Sequence, residues 1–218
     1  MVHGIPFSIG ALVLMAVTLL DARTADAISI NFNTHANGSP FVGLADSFPA
    51  SEFAALGVTI NDSDPTPGST DVNLTDPLNV GTAISGYYVN VGAFAGTPTS
   101  LDLDFSPLIL AADFDFATFS GALAVDAFGA GGAPLGTFSF SGSGTFINQA
   151  HFALKSGHGS LSGIGPISEL VVRPNVDEGL IFDNLNFRPA AVSEPGSLEL
   201  LWPGLVALGL IGRRLIVG

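Results

Sequence analysis

Carboxylates recur two residues apart in this chain, at Asp62/Asp64, Asp102/Asp104 and Asp113/Asp115. Leu101-Asp102-Leu103-Asp104-Phe105 and Ala112-Asp113-Phe114-Asp115-Phe116 alternate apolar and acidic residues, the period of a half-buried strand. On a strand each pair shares one face with its carboxylates roughly 6.5–7 Å apart. Glycosidase carboxylate pairs span about 5–9.5 Å, so hydrolytic chemistry is conceivable. Acids on the solvent face of an antiparallel sheet give the same pattern and are the simpler reading.

Asp62-Ser63-Asp64 opens a stretch rich in Pro, Gly, Ser, Thr and Asp, read as a surface loop over residues 62–76. An EF-hand would need Gly at the sixth position and an acid at the twelfth, where Pro67 and Asn73 stand. An irregular calcium loop is the alternative. His35, His151 and His158 show neither H-x-H nor H-E-x-x-H spacing, so no zinc motif exists. Gly157-His158-Gly159-Ser160 is not a nucleophile elbow, because His158 occupies the position of the first glycine in G-x-S-x-G. It reads as a glycine-flanked turn. Lys155 is followed by Ser156-Gly157, which makes no phosphate-binding lysine loop. The chain has no cysteine, which excludes disulfides and thiolate chemistry.

Nineteen acids against six Lys and Arg give a formal net charge of −13. Such a chain repels phosphate backbones, so nucleic acid is excluded as a partner. The balance suits solubility and divalent-cation binding outside the cell.

Between the two ends nothing is helical for long. Residues 28–32, 57–61, 87–91, 101–105, 112–116, 121–128, 135–140, 146–154, 167–172 and 181–187 read as short strands, with one helical turn at 53–56. Gly129-Ala130-Gly131-Gly132-Ala133-Pro134 marks the clearest hairpin. The expected fold is all-β, an antiparallel, jelly-roll-like β-sandwich over residues 28–189.

In the last strand Ile181, Asp183, Leu185 and Phe187 share one parity, which puts a carboxylate on a core face. That is costly unless the group is hydrogen-bonded or bound to a cation. Asp183-Asn184-Leu185-Asn186-Phe187 resembles the final strand of many jelly-roll carbohydrate-binding modules. The resemblance implies that Asp183, with Asn31 or Asn33 of the first strand, holds a structural calcium. A bulge turning Asp183 to solvent, or a carboxylate accepting loop N–H bonds, are the alternatives.

Both ends read as addresses. Residues 5–20 are apolar and Ala25-Asp26-Ala27 supplies the small residues signal peptidase requires. A signal peptide over 1–27, cut after Ala27, is therefore expected; a retained anchor is the alternative. At the other end Ser193-Glu194-Pro195-Gly196 precedes an almost uncharged stretch, 197–212, and then Arg213-Arg214. As a helix that stretch rises roughly 24 Å at about 1.5 Å per residue, against a hydrocarbon core of roughly 30 Å. Snorkelling arginines and bilayer thinning cover the difference.

This tail, over 190–218, resembles the PEP-CTERM sorting signal of Gram-negative bacteria, also labelled an ice-binding protein C-terminal domain. Ser193 stands where that tripeptide has its first proline. Gly57-Val58-Thr59 and Asp183-Asn184-Leu185 are also similar to the start and finish of sandwiches that carry such tails. The resemblance implies a transmembrane helix in the inner membrane, processing by exosortase, and display at the surface of an exopolysaccharide-producing cell. A plain tail anchor is the alternative.

The expectation for function is thus an exported envelope or matrix protein with a non-enzymatic structural or interaction role. The second reading is a calcium-dependent carbohydrate-binding module, with Tyr87 and Tyr88 as stacking residues for sugar rings. The third is a glycan-cleaving enzyme using one of the two strand-borne Asp pairs.

Overall fold

The computed structural model describes residues 25–41, 45–62, 69–74, 84, 87–91, 100–147, 153–175 and 179–191. The expected signal peptide and sorting tail, Ser193 to Arg214 included, lie outside these apart from Ala25 to Ala27 and from Ala190 and Ala191. Among the described residues no helix is long and apolar enough to cross a membrane. The compact unit runs from Ala25 to Ala190.

The strands are β1 Ile28–Ile30, β2 Ala45–Pro49, β3 Val58–Asp62, β4 Ser69–Leu74, β5 Tyr87–Val91, β6 Leu101–Thr118, β7 Ala122–Gly129, β8 Ala133–Ser141, β9 Gly144–Ile147, β10 Ala153–Pro174 and β11 Leu180–Pro189. All pairings are antiparallel. The main path runs β2-β4-β5-β11-β6-β10-β7-β8, with β1 on β11, β3 on β6 and β9 on β10. The hairpin over Gly129 to Pro134 forms as expected, its reversal made by Gly131 and Gly132 at positive φ.

Two long strands organise the rest. Leu101–Phe105 and Ala112–Phe116, read from sequence as separate strands, belong to one continuous 18-residue β6 that contains the cis Ser106-Pro107 bond. Its partner β10 has 22 residues, and the register shifts between Ser162 and Ile167, where Gly163 and Gly165 take positive φ. Beyond this irregularity β6 pairs with β3 on one edge and β10 with β7. On the near side β6 pairs with β11 and β10 with β9. Phe140 of β8 meets Phe114 of β6 edge-on at 5.7 Å, although β8 lies three strands away on the path. The sheet therefore doubles back on itself into a β-sandwich, with Phe114, Phe182, Phe105, Leu103, Val125 and Leu170 in the shared core.

The sequence Gly157-His158-Gly159-Ser160 is not a turn, as its glycines suggested; it is the middle of β10. Gly157 pairs with Phe116 and Gly159 with Phe114. A Cβ on Gly159 would stand 2.4 Å from Phe114 Cζ, and one on Gly157 2.7 Å from Phe116 Cζ. The glycines leave the space that the two rings fill. Another correction concerns residues 62–76, expected as loop, where Ser69–Leu74 forms β4 between β2 and β5. Thr, Val and Leu in that stretch pair in the sheet despite the surrounding Pro and Gly.

Gly159→Ala is expected to destabilise the fold by about 1–3 kcal/mol, the range for overpacking a filled core. Combined with Phe114→Leu, the loss should be less than the sum of the two single losses, because the smaller side chain frees the contested space. Urea unfolding of the four proteins measures this.

Candidate functional site

The outward face of β11, β6 and β10 changes character along its length. At one end Ile181, Ala117, Leu154, Phe146, Tyr88 and Ile84 form a second apolar cluster. Tyr88 is 2% exposed and meets Phe146 edge-on at 5.4 Å, so it is a packing residue and not a sugar-stacking platform. Further along, the same face becomes polar. Register places Asp115 between His158 and Asp183, and Asp113 between Ser160 and Asn186. Ser29 of β1 pairs with Asn186 and extends the row. Ser29, Asn186, Asp113 and Ser160 thus cross four adjacent strands in a line.

Hydrogen bonds fix this strip. His158 Nδ1 lies 2.9 Å from Asp115 Oδ1, while Asn184 Nδ2 donates to Asp115 Oδ2 at 2.9 Å. Asn186 Nδ2 donates to Asp113 Oδ1 at 3.2 Å and to the Asn184 carbonyl at 3.1 Å. The imidazole is about half exposed, the Asp115 carboxylate largely covered. The other oxygen of Asp113 and the Ser160 hydroxyl take no hydrogen bond from the described residues. The strip therefore presents preset acceptors and donors on a flat, open face.

A bulge in β11 makes this arrangement possible. The four residues Asp183 to Asn186 span the three from Asp115 to Asp113, and Asn184 takes φ 52°. The sequence parity of Asp183 with Leu185 and Phe187 is overturned by this extra residue. Leu180 and Phe182 point into the core before the bulge, Leu185 and Phe187 after it. Ile181 and Asp183 face the other way. Asp183 nevertheless stays fully buried. Its Oδ1 accepts the Asn184 N–H at 2.8 Å, the bonding that a buried carboxylate requires. Asn31 is exposed, and its Oδ1 accepts the Asn33 N–H at 3.2 Å. Among the described residues no group of three or more His, Asp or Glu side chains is placed to hold a metal ion.

The other Asp pair has a different environment. Asp102 and Asp104 share the outer face of the second layer, as their spacing implied. Asp104 pairs directly with Glu169 of β10. Burial pushes the Asp102 carboxyl above its ordinary value; a Ser100 hydrogen bond opposes this and the Asp104 charge adds to it. Glu169 is raised by burial and then by the Asp104 and Asp102 charges. Asp102 Oδ1 is buried without a hydrogen-bond partner. This row is a site of repulsion. Beside it, Asp126 is neutralised by Arg173 and accepts the Thr137 hydroxyl.

His35 belongs to neither strip. Its Nδ1 lies 3.2 Å from Glu52 Oε1, which also accepts the Ala36 N–H at 2.9 Å. The ring packs on Phe41, so this histidine ties the loop after β1 to the body of the fold.

No family model and no curated protein matches the chain. Several solved structures are similar to it. A variant of a family 29 carbohydrate-binding module is 12% identical with a TM-score of 0.35, over 78% of this chain and 100% of that one. A DUF4465 family protein from Bacteroides caccae is 10% identical with a TM-score of 0.42, over 78% and 96%. An arabinose-bound α-L-arabinofuranosidase is 16% identical with a TM-score of 0.41, over 78% of this chain and 28% of that one. At these identities and scores the likenesses decide nothing about what this chain binds.

The raised carboxyls of Asp102 and Glu169 give stability a defined pH dependence. The folded state holds more protons than the unfolded one between the ordinary values, 3.8 and 4.5, and the raised ones. This acid row therefore contributes increasing stability as pH falls through that window, and loses it as pH rises. Asp104→Asn should raise the melting temperature at pH 7 and flatten this dependence. Thermal melts from about pH 4, near the ordinary carboxylate values, up to about pH 8 compare the two proteins.

Proposed function

We propose that this chain is an exported, non-catalytic envelope or matrix protein whose jelly-roll-like sandwich binds polysaccharide. Sugar hydroxyls would lie along the strip of Ser29, Asn186, Asp113 and Ser160. The observation that carries this reading is the hydrogen-bonded row itself. Asp113 and Asp115 are each oriented by side-chain amides, and Asp115 also by His158, on an open sheet face. Carboxylates held this way keep lone pairs for hydroxyl donors, and Ser and Asn supply both donors and acceptors. A sheet face is flat enough to follow an extended chain of sugars. The reading rests on this geometry and not on the weak likeness to carbohydrate-binding modules.

The exported part of the proposal rests on the terminal sequences. A compact unit running from Ala25 to Ala190 supports it, because cuts after Ala27 and near Glu194 would remove only Ala25 to Ala27 from that unit. Signal peptidase and exosortase are the processing partners under this reading, exopolysaccharide the ligand. The non-catalytic part is supported by the commitment of Asp115 to two partners on a face open to water.

Affinity electrophoresis against a panel of bacterial and plant polysaccharides tests the ligand. Asp113→Ala and Asn186→Ala should each weaken binding about tenfold, the effect of losing roughly 1.4 kcal/mol of hydrogen bonding, with circular dichroism unchanged. If every polysaccharide retains the unsubstituted protein no more than a variant carrying both Asp113→Ala and Asn186→Ala, the proposal is removed. Mass spectrometry of the mature protein tests export. The expected termini are Ile28 and a residue near Glu194, whereas an intact chain in the cytosol would refute the sorting reading.

A further inference from the structure

β8 ends the hydrogen-bonded path, and among the described residues it pairs with β7 alone. Free edges of this length are normally blunted by charge, by proline within the strand, or by a bulge. Here Pro134 and the register shift opposite Phe128 sit at the start, which leaves Thr137 to Ser141 regular. No Asp, Glu, Lys or Arg occurs from Ala127 to Leu154. Leu135, Phe138 and Phe140 pack against the core only partly, and among the described residues no strand stands beyond them. Thr137, Ser139 and Ser141 occupy the opposite face and are exposed.

From this edge we infer that the protein forms a symmetric dimer, with β8 pairing antiparallel to β8 of a second copy. Charge selects that occupant. Two chains of net charge −13 repel over most of their surfaces, and the uncharged edge is where they approach without bringing carboxylates together. A two-fold axis across an antiparallel strand matches each N–H and C=O with its own equivalent, so the edge is complementary to itself. The added strand covers the half-exposed sides of Phe138 and Phe140 in both copies. A charged partner, of either sign, finds no complement in this strand.

The absence of cysteine makes the test clean, since any introduced thiol is the sole one. Full-length protein carrying Ser139→Cys or Ser141→Cys is oxidised beside a Ser162→Cys control, whose thiol lies on the middle of β10. One of the two β8 variants should form covalent dimer at least tenfold faster than the control. Sedimentation velocity of the unsubstituted protein should show a concentration-dependent dimer. Ser139→Lys, exposed and therefore tolerated by the fold, should give monomer with an unchanged circular dichroism spectrum. Equal cross-linking at β8 and at the control overturns the inference. So does a unsubstituted protein that stays monomeric, or a dimer that survives the lysine.

Discussion

The fold depends on a steric match between two glycines and two aromatic rings. Phe114 and Phe116 of β6 lie over Gly159 and Gly157 of β10, in spaces that a methyl group would already overfill. This match sits in the longest strand pair, the one that passes through both layers of the sandwich. Strand register is strict where one face is buried, because a slip by one residue exchanges the two faces. Pinning Phe114 opposite Gly159 therefore also pins Ser160 opposite Asp113 and His158 opposite Asp115. The polar strip is the reverse side of an apolar constraint.

A second local device completes the strip. Without the extra residue in β11, Leu185 and Phe187 would leave the core or Phe182 would. The bulge at Asp183 and Asn184 lets both sets point inward. Asn184 accepts the positive φ that such a bulge demands, which its short polar side chain tolerates better than most. The consequence for chemistry is that Asn184 and Asn186 both reach β6 carboxylates, one at Asp115 and the other at Asp113. A bulge used in this way re-aims side chains beside a site.

Two Asp-x-Asp pairs of the same pattern, on the same strand, acquire opposite electrostatic characters. Asp113 and Asp115 meet amide and imidazole donors from both neighbouring strands. Asp102 and Asp104 meet Glu169, and their layer's arginine is already engaged with Asp126. The first pair is oriented by hydrogen-bond donors. The second is repelled and partly desolvated, a cost the fold carries in the layer opposite the proposed ligand face. Neighbour identity across the sheet, and not the local motif, makes the difference.

Much of the architecture was legible in the chain itself. The period-two alternation at 101–105 and 112–116 placed both Asp pairs on outer faces. Gly129 to Pro134 marked its hairpin, and the scarcity of helix formers marked the all-β class. Local pattern could do this because alternation is a property of a single strand. It could not show that Gly157 and Gly159 serve a strand, since their purpose is the rings of another segment more than forty residues away in sequence. Nor could it find β4, which is held between β2 and β5. The parity of Asp183 misled for the same reason: a bulge is invisible until the partner strand is present to be mismatched. Periodicity thus determined which residues face outward together within a strand. Only the tertiary pairing decided which outward residues meet, because hydrogen-bond partners across a sheet are set by register and core fit.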